Sequence, residues 1–287
     1  MPAVTASAPA TATPSPADLK AAAAATNGPA IDSLFVADKA VRQSAAEGIA
    51  SLAKKDGPSA IKSTGFTEAT IKALGDKKSP AAREGAAQAV TALVKATPCA
   101  LEPFFIDSGL YAALLETFAD KMPAVRAAAV EAVRTFVEKA NPWGTALLLP
   151  ALLHEIKCAG KWQLKTGSLT VLNQIVVSAP TQTAKLMPDI VPVLAEAMWD
   201  TKADVKKQAH DSLTKATALI SNKDIEQFIP ALINTLINPD EVTKTIQLLS
   251  ATTFVSEVDS ATLSLMVPLL SRGLNEKLTA TKRKVAV

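Results

Sequence analysis

A basic residue recurs along this chain about every forty residues, and this period constrains the fold more than any other feature of the sequence. Its positions are Arg42, Arg83, Arg126, Lys165, Lys206, Lys244 and Lys282, at intervals of 41, 43, 39, 41, 38 and 38 residues. Such a period is typical of proteins in which one helical unit is stacked on the next. Because a single unit buries too little apolar surface to be stable alone, the period predicts a continuous stack.

A proline motif keeps the same period within the segment that precedes the basic residue. An apolar residue followed by Pro-x-Leu occurs at Pro150, Pro192, Pro230 and Pro268, with spacings of 42, 38 and 38 residues. An interior proline removes one backbone hydrogen bond, so we expect the first helix of each unit to bend there. Two independent markers with one period indicate repeated pairs of helices.

The segment from Pro123 to Val137 shows the helical pattern most clearly. Starting at Val125, its apolar residues fall at i, i+3, i+4, i+7, i+8, i+11 and i+12, which is one face of an α-helix. Asp120 is predicted to cap this helix, and Pro123 to lie in its first turn. We also expect acidic residues in such turns, Asp120 among them, to form a ladder with the recurring basic residues of adjacent units.

Composition indicates a wholly helical fold. Apolar residues make up 48% of the chain and are mostly Ala, Leu, Val and Ile, whereas aromatic residues make up 4%. Ala and Leu favour helices, and Ala lets helices approach closely. The sequence therefore predicts an all-α fold, an α-α superhelix of about seven helix pairs, over residues 31–287. Residues 282–287 cover only the start of a second helix, so we expect the chain to be truncated within its last repeat.

Residues 1–30 differ from the rest of the chain. Ala, Pro, Thr and Ser dominate them, and we predict a disordered tail. They contain no basic segment followed by an apolar block, so they do not resemble a secretory signal. No apolar run has the length of a membrane span. We therefore expect a cytoplasmic protein without a membrane partner.

The sequence lacks the motifs of a catalytic centre. It contains no G-x-x-x-x-G-K-[ST] string that would surround a phosphate with backbone amides. His154 and His210 lie in different units, without a His or Cys partner at metal-ligand spacing. Cys99 and Cys158 lack C-x-x-C spacing, and we expect both thiols to be buried. We thus predict no catalytic residue, no metal ligand and no cofactor in this chain.

Ten basic residues and one tryptophan are the candidates for a binding surface. The net charge of +3 is too small to indicate nucleic-acid binding by itself. Stacking would nevertheless bring these residues, which recur near turns and second-helix starts, into a ridge along one edge. They are Lys161, Trp162, Lys165, Lys202, Lys206, Lys207, Lys244, Arg272, Lys282, Arg283 and Lys284. A ridge of this kind would bind rRNA phosphates in a salt-sensitive manner, and the alternative is an ordinary solvated face.

Two tryptophans differ in their predicted environment. Trp162 is flanked by lysines in Gly160-Lys-Trp-Gln-Leu-Lys165, and we expect it to be exposed. Trp199 ends the apolar run that begins at Val191, and we expect it to be packed.

Two sets of residues carry a resemblance to known families. Residues 120–129 fit the pattern D-x-x-P-x-V-R-x-A-A, which resembles a HEAT repeat, and this likeness extends over residues 31–287. Four later segments resemble, more specifically, the N-terminal HEAT region of the fungal translation elongation factor 3 family. They are residues 186–202 (LMPDIVPVLAEAMWDTK), 222–230 (NKDIEQFIP), 251–258 (ATTFVSEV) and 263–276 (LSLMVPLLSRGLNE).

This resemblance implies a function that composition and spacing do not. Members of the family are ribosome-associated ATPases whose HEAT region contacts the small subunit and whose cycle aids release of deacylated tRNA from the exit site. The resemblance implies small-subunit proteins and rRNA as partners, with elongation factor 1A contacted through the parent protein, and no DNA partner. ATP and Mg would bind two ATP-binding cassettes downstream of this chain. The alternative is another HEAT scaffold, of the translational-control activator, karyopherin or phosphatase-scaffold type.

Overall fold

The computed structural model describes residues 31–286, apart from the side chain of Cys99. Seventeen α-helices and three short 3-10 helices form these residues, and no β-strand occurs among them. The α-helices, in chain order, are α1 (Lys39–Asp56), α2 (Pro58–Thr64), α3 (Phe66–Leu74), α4 (Pro80–Ala96), α5 (Pro98–Phe105), α6 (Leu110–Thr117), α7 (Pro123–Lys139), α8 (Thr145–Cys158), α9 (Trp162–Ser178), α10 (Pro180–Lys185), α11 (Met187–Ala197), α12 (Ala203–Thr217), α13 (Lys223–Glu226), α14 (Ile229–Ile237), α15 (Val242–Ser250), α16 (Ser260–Asn275) and α17 (Thr279–Ala286). The all-α prediction is confirmed, whereas the tail predicted for residues 1–30 lies outside the described residues.

The helices form seven pairs, as the period predicted. The first pair consists of the 3-10 helix Ile31–Phe35 and α1. The other six pairs, in chain order, are α3 with α4, α6 with α7, α8 with α9, α11 with α12, α14 with α15, and α16 with α17. The short helices α2, α5, α10 and α13 connect one pair to the next. The recurring basic residue is the third or fourth residue of every second helix. The sequence period therefore marks the start of the second helix in each pair.

The second helices of the first five pairs stack side by side. In order, α1, α4, α7, α9 and α12 each pack on the next one. Leu93, Val133, Leu172 and Leu213, one from each of α4, α7, α9 and α12, are completely buried. Each second helix thus buries its apolar face between two neighbours, which is how a stack of units becomes stable when one unit alone is not.

The sixth pair departs from this regular order. Helix α11 of the fifth pair packs extensively against α16 of the seventh pair. The first helix of the sixth pair, α14, has nine residues, whereas α16 has 16. The longer helix thus covers part of α11.

Three of the four periodic prolines lie inside first helices, as predicted. Pro150 is in α8, Pro192 in α11 and Pro268 in α16. The prediction is wrong for Pro230, because the chain is divided there into the four-residue α13 and a new helix that begins at Ile229. In the first turn of α14, the proline removes no hydrogen bond, since the first N–H groups of a helix have no partner within it.

The start of α7 follows the prediction only in part. Pro123 is its first residue, but the cap position is Met122, and no side chain caps the helix. The carboxylate of Asp120 accepts a hydrogen bond from the N–H of Met122 at 2.8 Å instead. The prediction that Asp120 caps α7 is therefore wrong, because its side chain stabilises the turn before the helix.

No helix in the described part of the chain is long and apolar enough to cross a membrane.

Gly85 allows the first two pairs to approach each other closely. A Cβ atom at this position of α4 would overlap the carbonyl oxygen of Leu34 and the side chain of Arg42. The carbonyl oxygen belongs to the backbone and cannot rotate away. Only glycine therefore fits at this contact.

We expect Gly85→Ala to destabilise the protein by about 1–3 kcal/mol, because overpacking against backbone outweighs the roughly 1 kcal/mol by which alanine favours a helix. Urea denaturation followed by circular dichroism measures the change. Gly160→Ala is the control, since a Cβ at that position meets no atom within 4 Å. The urea midpoint of this variant should equal that of the wild type. Equal midpoints for wild type and Gly85→Ala would contradict the tight contact.

Candidate nucleic-acid interface

The connections between the two helices of each pair lie along one edge of the stack, which we name the turn edge. They are residues 36–38, 75–79, 118–122, 159–161, 198–202, 238–241 and 276–278. At each of the first five junctions, a side-chain bond joins the connection or the helix that follows it to the next repeat, and at the sixth Arg272 bonds the end of α14, just before the connection. These bonds establish that the connections are neighbours in space.

The strongest of these bonds is an ion pair between Arg83 and Asp120. The Nε of Arg83 donates to Oδ2 of Asp120 at 2.6 Å, and both side chains are about nine-tenths buried. The Nη1 of the same arginine donates to the carbonyl oxygen of Asp76 at 2.6 Å. One guanidinium group therefore holds the turns of two adjacent repeats together, and its shielding from water makes the pair stronger than a surface ion pair.

A second ion pair repeats this arrangement further along the chain. The Nζ of Lys165 lies 2.7 Å from Oδ2 of Asp200, with both side chains largely buried. In the first repeat, Nη2 of Arg42 lies 3.5 Å from Oε2 of Glu84. The predicted ladder is confirmed at Arg83 and Lys165, whereas Arg42 uses a carboxylate within a helix rather than one in a turn.

The ladder is not continuous. Arg126 donates from Nη1 to the carbonyl oxygens of Asp120 and Lys121, at 2.8 and 3.1 Å, within its own repeat. The next turn, residues 159–161, contains no carboxylate that could accept from it. Lys244 pairs with Glu241 of its own repeat at 3.0 Å. Ion pairs between repeats form only where the next repeat supplies an acidic residue within reach.

Backbone carbonyl groups replace the carboxylates at the remaining junctions. The Nζ of Lys161 lies 3.4 Å from the carbonyl oxygen of Ala119. The indole N–H of Trp199 donates to the carbonyl oxygen of Leu236 at 3.1 Å. Arg272 donates from Nη1 to Thr235 O at 2.6 Å and to Leu236 O at 3.3 Å. The carbonyl of Leu236, near the end of α14, is thus bonded to side chains of both neighbouring repeats.

The two tryptophans on this edge are both partly exposed. Trp162 has 38% of its surface exposed beside Lys161, in agreement with the prediction. Trp199 has 55% exposed, so the prediction that it is packed is wrong. The reason is that its helix ends at the edge of the stack, where the indole N–H reaches the next repeat while much of the ring remains in solvent.

The ion pairs lower the pKa values of both turn aspartates. Partial burial acts to raise the pKa of Asp120, but hydrogen bonds from Arg83 and the Met122 N–H, with the positive charges of Arg83 and Arg126, lower it below the ordinary 3.8. For Asp200, burial again acts to raise the pKa, and hydrogen bonds from Lys165 and the Lys202 N–H lower it. Both carboxylates are therefore ionised near neutral pH and bind their partners as anions.

The structure places all eleven candidate residues on or next to the turn edge but divides them into two groups. Lys165 and Arg272 are used in bonds between repeats, Lys161 makes a long bond there, and Lys244 pairs within its own repeat. The other basic candidates are exposed, and their side chains make no ion pair with the described residues. They are Lys202, Lys206, Lys207, Lys282, Arg283 and Lys284.

Charge is distributed unevenly between the two edges of the stack. The turns with their adjoining helix ends contain 19 Lys and Arg against 9 Asp and Glu, counted over residues 36–42, 76–84, 120–126, 157–165, 200–207, 238–244 and 272–284. The connections between pairs, on what we name the linker edge, contain 4 Lys and Arg against 9 Asp and Glu, counted over residues 56–66, 96–109, 138–145, 178–190, 217–229 and 250–261. The excess of positive charge is therefore concentrated at the turn edge, because Lys54, Lys55 and Lys95, in the helix ends beside the linker edge, bring that edge close to neutral.

Sequence reasoning missed several members of the basic edge. Lys77, Lys78, Lys121 and Lys277 lie in the turns and are exposed. Each directly follows, or lies two residues after, an acidic residue, and this pattern marks the turns. Cys158, at the end of α8, is also exposed here, so the prediction that it is buried is wrong, while the Cys99 side chain lies outside the described residues.

The described side chains include no group of three His, Cys, Asp or Glu residues that could hold a metal ion. His154 and His210 are both exposed and lie in different repeats. The residues brought together at the turn edge are cations, tryptophans and carboxylates, of which Glu84, Asp120, Asp200 and Glu241 are paired with cations. Such a surface can bind a polyanion.

We expect the stability contributed by Asp120 and Asp200 to be complete above about pH 5 and to be lost as the pH falls through their lowered pKa values, because protonation removes the anions that their partners bind. The difference in melting temperature between wild type and the double variant Asp120→Asn, Asp200→Asn should be largest near neutral pH and should shrink as the pH falls through these lowered pKa values. Melting followed by circular dichroism measures it. Asp107→Asn, at an exposed site on the linker edge, controls for the change in net charge, and a difference independent of pH would contradict the prediction.

Comparison with known families agrees with the pattern of repeats. Residues 42–213 match the family described as EF3 N-terminal HEAT repeat, and residues 240–287 match the family described as Elongation factor 3/GNC1 HEAT repeat. Among solved structures, a designed armadillo repeat protein aligns with a TM-score of 0.40 at 16% identity, covering 89% of this chain and 95% of that one.

Individual relatives are similar over most of this chain. Elongation factor 3 of Mycosarcoma maydis is 52% identical over 258 residues, which are 89% of this chain and 24% of that protein. Elongation factor 3 of Gonapodya prolifera is 42% identical over 273 residues, which are 95% of this chain and 25% of that protein. The chain thus spans about a quarter of the length of these relatives. With more than half of its residues matched by the first family, the chain belongs to the elongation factor 3 family, as part of its N-terminal HEAT-repeat region.

Proposed function

We propose that this chain is a ribosome-binding scaffold within an elongation-factor-3-like translation factor, and that its turn edge binds the phosphates of small-subunit rRNA. The observation that supports this most directly is the excess of 19 basic over 9 acidic residues at that edge. Phosphate contacts of this kind supply affinity without reading base sequence. Proteins of the small subunit that border the rRNA are the second part of the proposed surface.

The division of labour among the cations supports the proposal. Arg83, Lys165 and Arg272 hold one repeat to the next, so the position of each turn is set by the stack. The exposed cations at Lys206–Lys207 and at Lys282–Lys284 then project from fixed helix starts. These exposed cations lie in the fifth and seventh repeats, with the paired Lys244 of the sixth repeat between them, so they would contact a phosphate backbone as two separate clusters.

The activity of the longer protein is part of the same proposal. Because the relatives are about four times as long as this chain, we assign ATP hydrolysis to the parent protein, with ATP and Mg bound in two ATP-binding cassettes outside residues 1–287. The parent would aid release of deacylated tRNA from the ribosomal exit site in the cytoplasm and would contact elongation factor 1A. The described residues contribute the fixed surface on which such a factor is positioned.

We expect the fourfold reversal Lys206→Glu, Lys207→Glu, Lys282→Glu, Arg283→Glu to abolish binding of this chain to purified small subunits at about 0.15 M salt, because the phosphate contacts of four cations are lost. Each lost contact should also reduce the steepness of log affinity plotted against log salt concentration by roughly 0.7–0.9. Co-sedimentation over a range of salt concentrations measures both affinity and slope. Helix content, followed by circular dichroism, should not change.

A matched variant separates this effect from a change in total charge. Lys54→Glu, Lys55→Glu, Lys62→Glu, Lys95→Glu also reverses four exposed lysines, but away from the turn edge, and should bind nearly as wild type does. If the turn-edge variant binds small subunits as tightly as wild type, the proposed rRNA contact is wrong. If this chain instead retains a kinase, a phosphatase or a transport cargo, that result would favour the other classes of HEAT scaffold.

A further inference from the structure

Two tryptophans lie on neighbouring turns of the turn edge. Trp162 is the first residue of α9 in the fourth repeat, and Trp199 lies in the connection 198–202 of the fifth repeat. The ion pair between Lys165 and Asp200, at 2.7 Å, joins these two repeats. Lys165 is three residues after Trp162 on the same helix, and Asp200 directly follows Trp199, so each tryptophan lies next to one partner of the ion pair. The fold thus holds the two tryptophans near each other.

Both rings are accessible, and one of them is fixed in orientation. Trp199 donates its indole N–H to the carbonyl oxygen of Leu236 at 3.1 Å, while 55% of its surface remains exposed. Trp162 has 38% of its surface exposed. A side chain that is already held by a hydrogen bond loses little conformational freedom when a ligand binds to it. The apolar ring of Trp199 is therefore presented to solvent in a position set by the next repeat.

Exposed lysines accompany the two tryptophans. Residues 157–165 and 198–207 together contain 6 lysines and 2 aspartates. Of these charges, Asp200 is paired with Lys165, and Lys157 is paired with Glu196 at 3.1 Å. Asp204 is exposed, and so are four further lysines, which make no ion pair with the described residues. They are Lys161, Lys202, Lys206 and Lys207. The rings thus lie within a surface of net positive charge.

This combination of groups indicates the chemistry of the ligand. Lysines bind phosphates, whereas a tryptophan ring stacks on a flat apolar face. A nucleic acid strand carries both groups in every residue, but in a duplex the faces of the bases stack on one another and are covered. Unpaired bases in loops and bulges can instead stack on aromatic side chains. An acidic peptide would satisfy the lysines and offers no flat ring at each residue.

We propose that Trp162 and Trp199 stack on unpaired bases of the RNA that binds at the turn edge, while the neighbouring lysines bind its phosphates. The inference rests on the proposed function, because it names the part of the RNA that this surface prefers. It assigns a single-stranded loop or bulge to the fourth and fifth repeats. The other cluster of exposed cations, Lys282–Lys284, has no tryptophan beside it in the sequence and would bind phosphates of any RNA.

The test compares binding of the chain of residues 1–287 to two fluorescein-labelled probes, a twelve-residue oligouridylate and a twelve-base-pair RNA duplex, by fluorescence anisotropy. Two double variants are used, Trp162→Leu with Trp199→Leu and Trp162→Phe with Trp199→Phe. Both remove the N–H that bonds to Leu236, but only phenylalanine keeps an aromatic face. Trp143→Leu is the matched control, because Trp143 is exposed but lies on the linker edge. Circular dichroism establishes that each variant is folded.

We expect the leucine double variant to bind the single strand at least about tenfold more weakly than wild type, because stacking on an aromatic ring is lost at two positions. The phenylalanine double variant should bind within about threefold of wild type, and Trp143→Leu should bind as wild type does. Affinity for the duplex should change less than about twofold in all three variants.

Intrinsic fluorescence supplies a second measurement that needs no change at the proposed site. The chain has three tryptophans, so in Trp143→Phe all tryptophan emission comes from Trp162 and Trp199. Stacking of bases should quench this emission when the single strand is added, and the duplex should quench it much less.

Several results would overturn the stacking while leaving the proposed function intact. They are equal losses in the leucine and phenylalanine variants, an unchanged affinity of the leucine variant for the single strand, or no quenching, in each case with small-subunit binding still abolished by the fourfold charge reversal. If the leucine variant loses affinity for small subunits but not for the single strand, the rings contact ribosomal protein, and the stacking is likewise wrong. If wild type binds neither RNA nor small subunits, the proposed function fails and this inference fails with it.

Discussion

Each helix pair in this protein can bury its apolar face only against the next pair, and the rest of the structure follows from this constraint. The completely buried leucines and valines of α4, α7, α9 and α12 lie between neighbouring second helices. Since burial is worth roughly 25 cal/mol per Å² of apolar surface, the interfaces between repeats are the main source of stability. Polar residues are consequently left to the two edges, where the helices end.

The polar residues at the turn edge have two different roles. Arg83 and Lys165 pair with the aspartates of the next repeat, and Arg272 and Trp199 bond to backbone carbonyl groups. These contacts set the spacing and orientation of the turns. Other basic residues at the edge, among them Lys206, Lys207 and Lys282, make no ion pair with the described residues and keep their positive charge exposed. A rigid row of turns is thereby also a charged surface.

The linker edge shows how a small difference between repeats changes a surface. Where the connection is a short helix, it covers the ends of the neighbouring helices. Where the connection is Ala140-Asn-Pro-Trp-Gly144, the chain is too short to form such a helix, and apolar side chains such as Leu147 remain exposed. A basic turn edge and a partly apolar linker edge then give one stack two surfaces with different chemistry.

Much of the fold could be predicted from the sequence. The period of the basic residue defined the seven second helices. The period of the proline located three of the first helices, each of which contains one of these prolines in its interior. Predictions about single side chains were less accurate. The ladder correctly paired Asp120 with a recurring basic residue, but Asp120 was also expected to cap α7 and instead accepts from the N–H of Met122 in the preceding turn. Trp199 was expected to be packed but bonds through its N–H at an exposed edge. The position of Trp199 depends on which groups of the next repeat lie within about 3 Å, and local sequence does not contain that distance.

The sequence by itself determined the helix pairs, their number and the position of a basic residue at the start of each second helix, because these follow from local periodicity and helix propensity. Only the tertiary structure decided which of the basic residues are consumed in holding the repeats together and which remain exposed. It also decided that positive charge is concentrated at the turn edge, that α16 covers part of α11, and that Trp162 and Trp199 lie on neighbouring turns. Each of these depends on contacts between residues about forty positions apart, whose geometry is set by how the pairs pack.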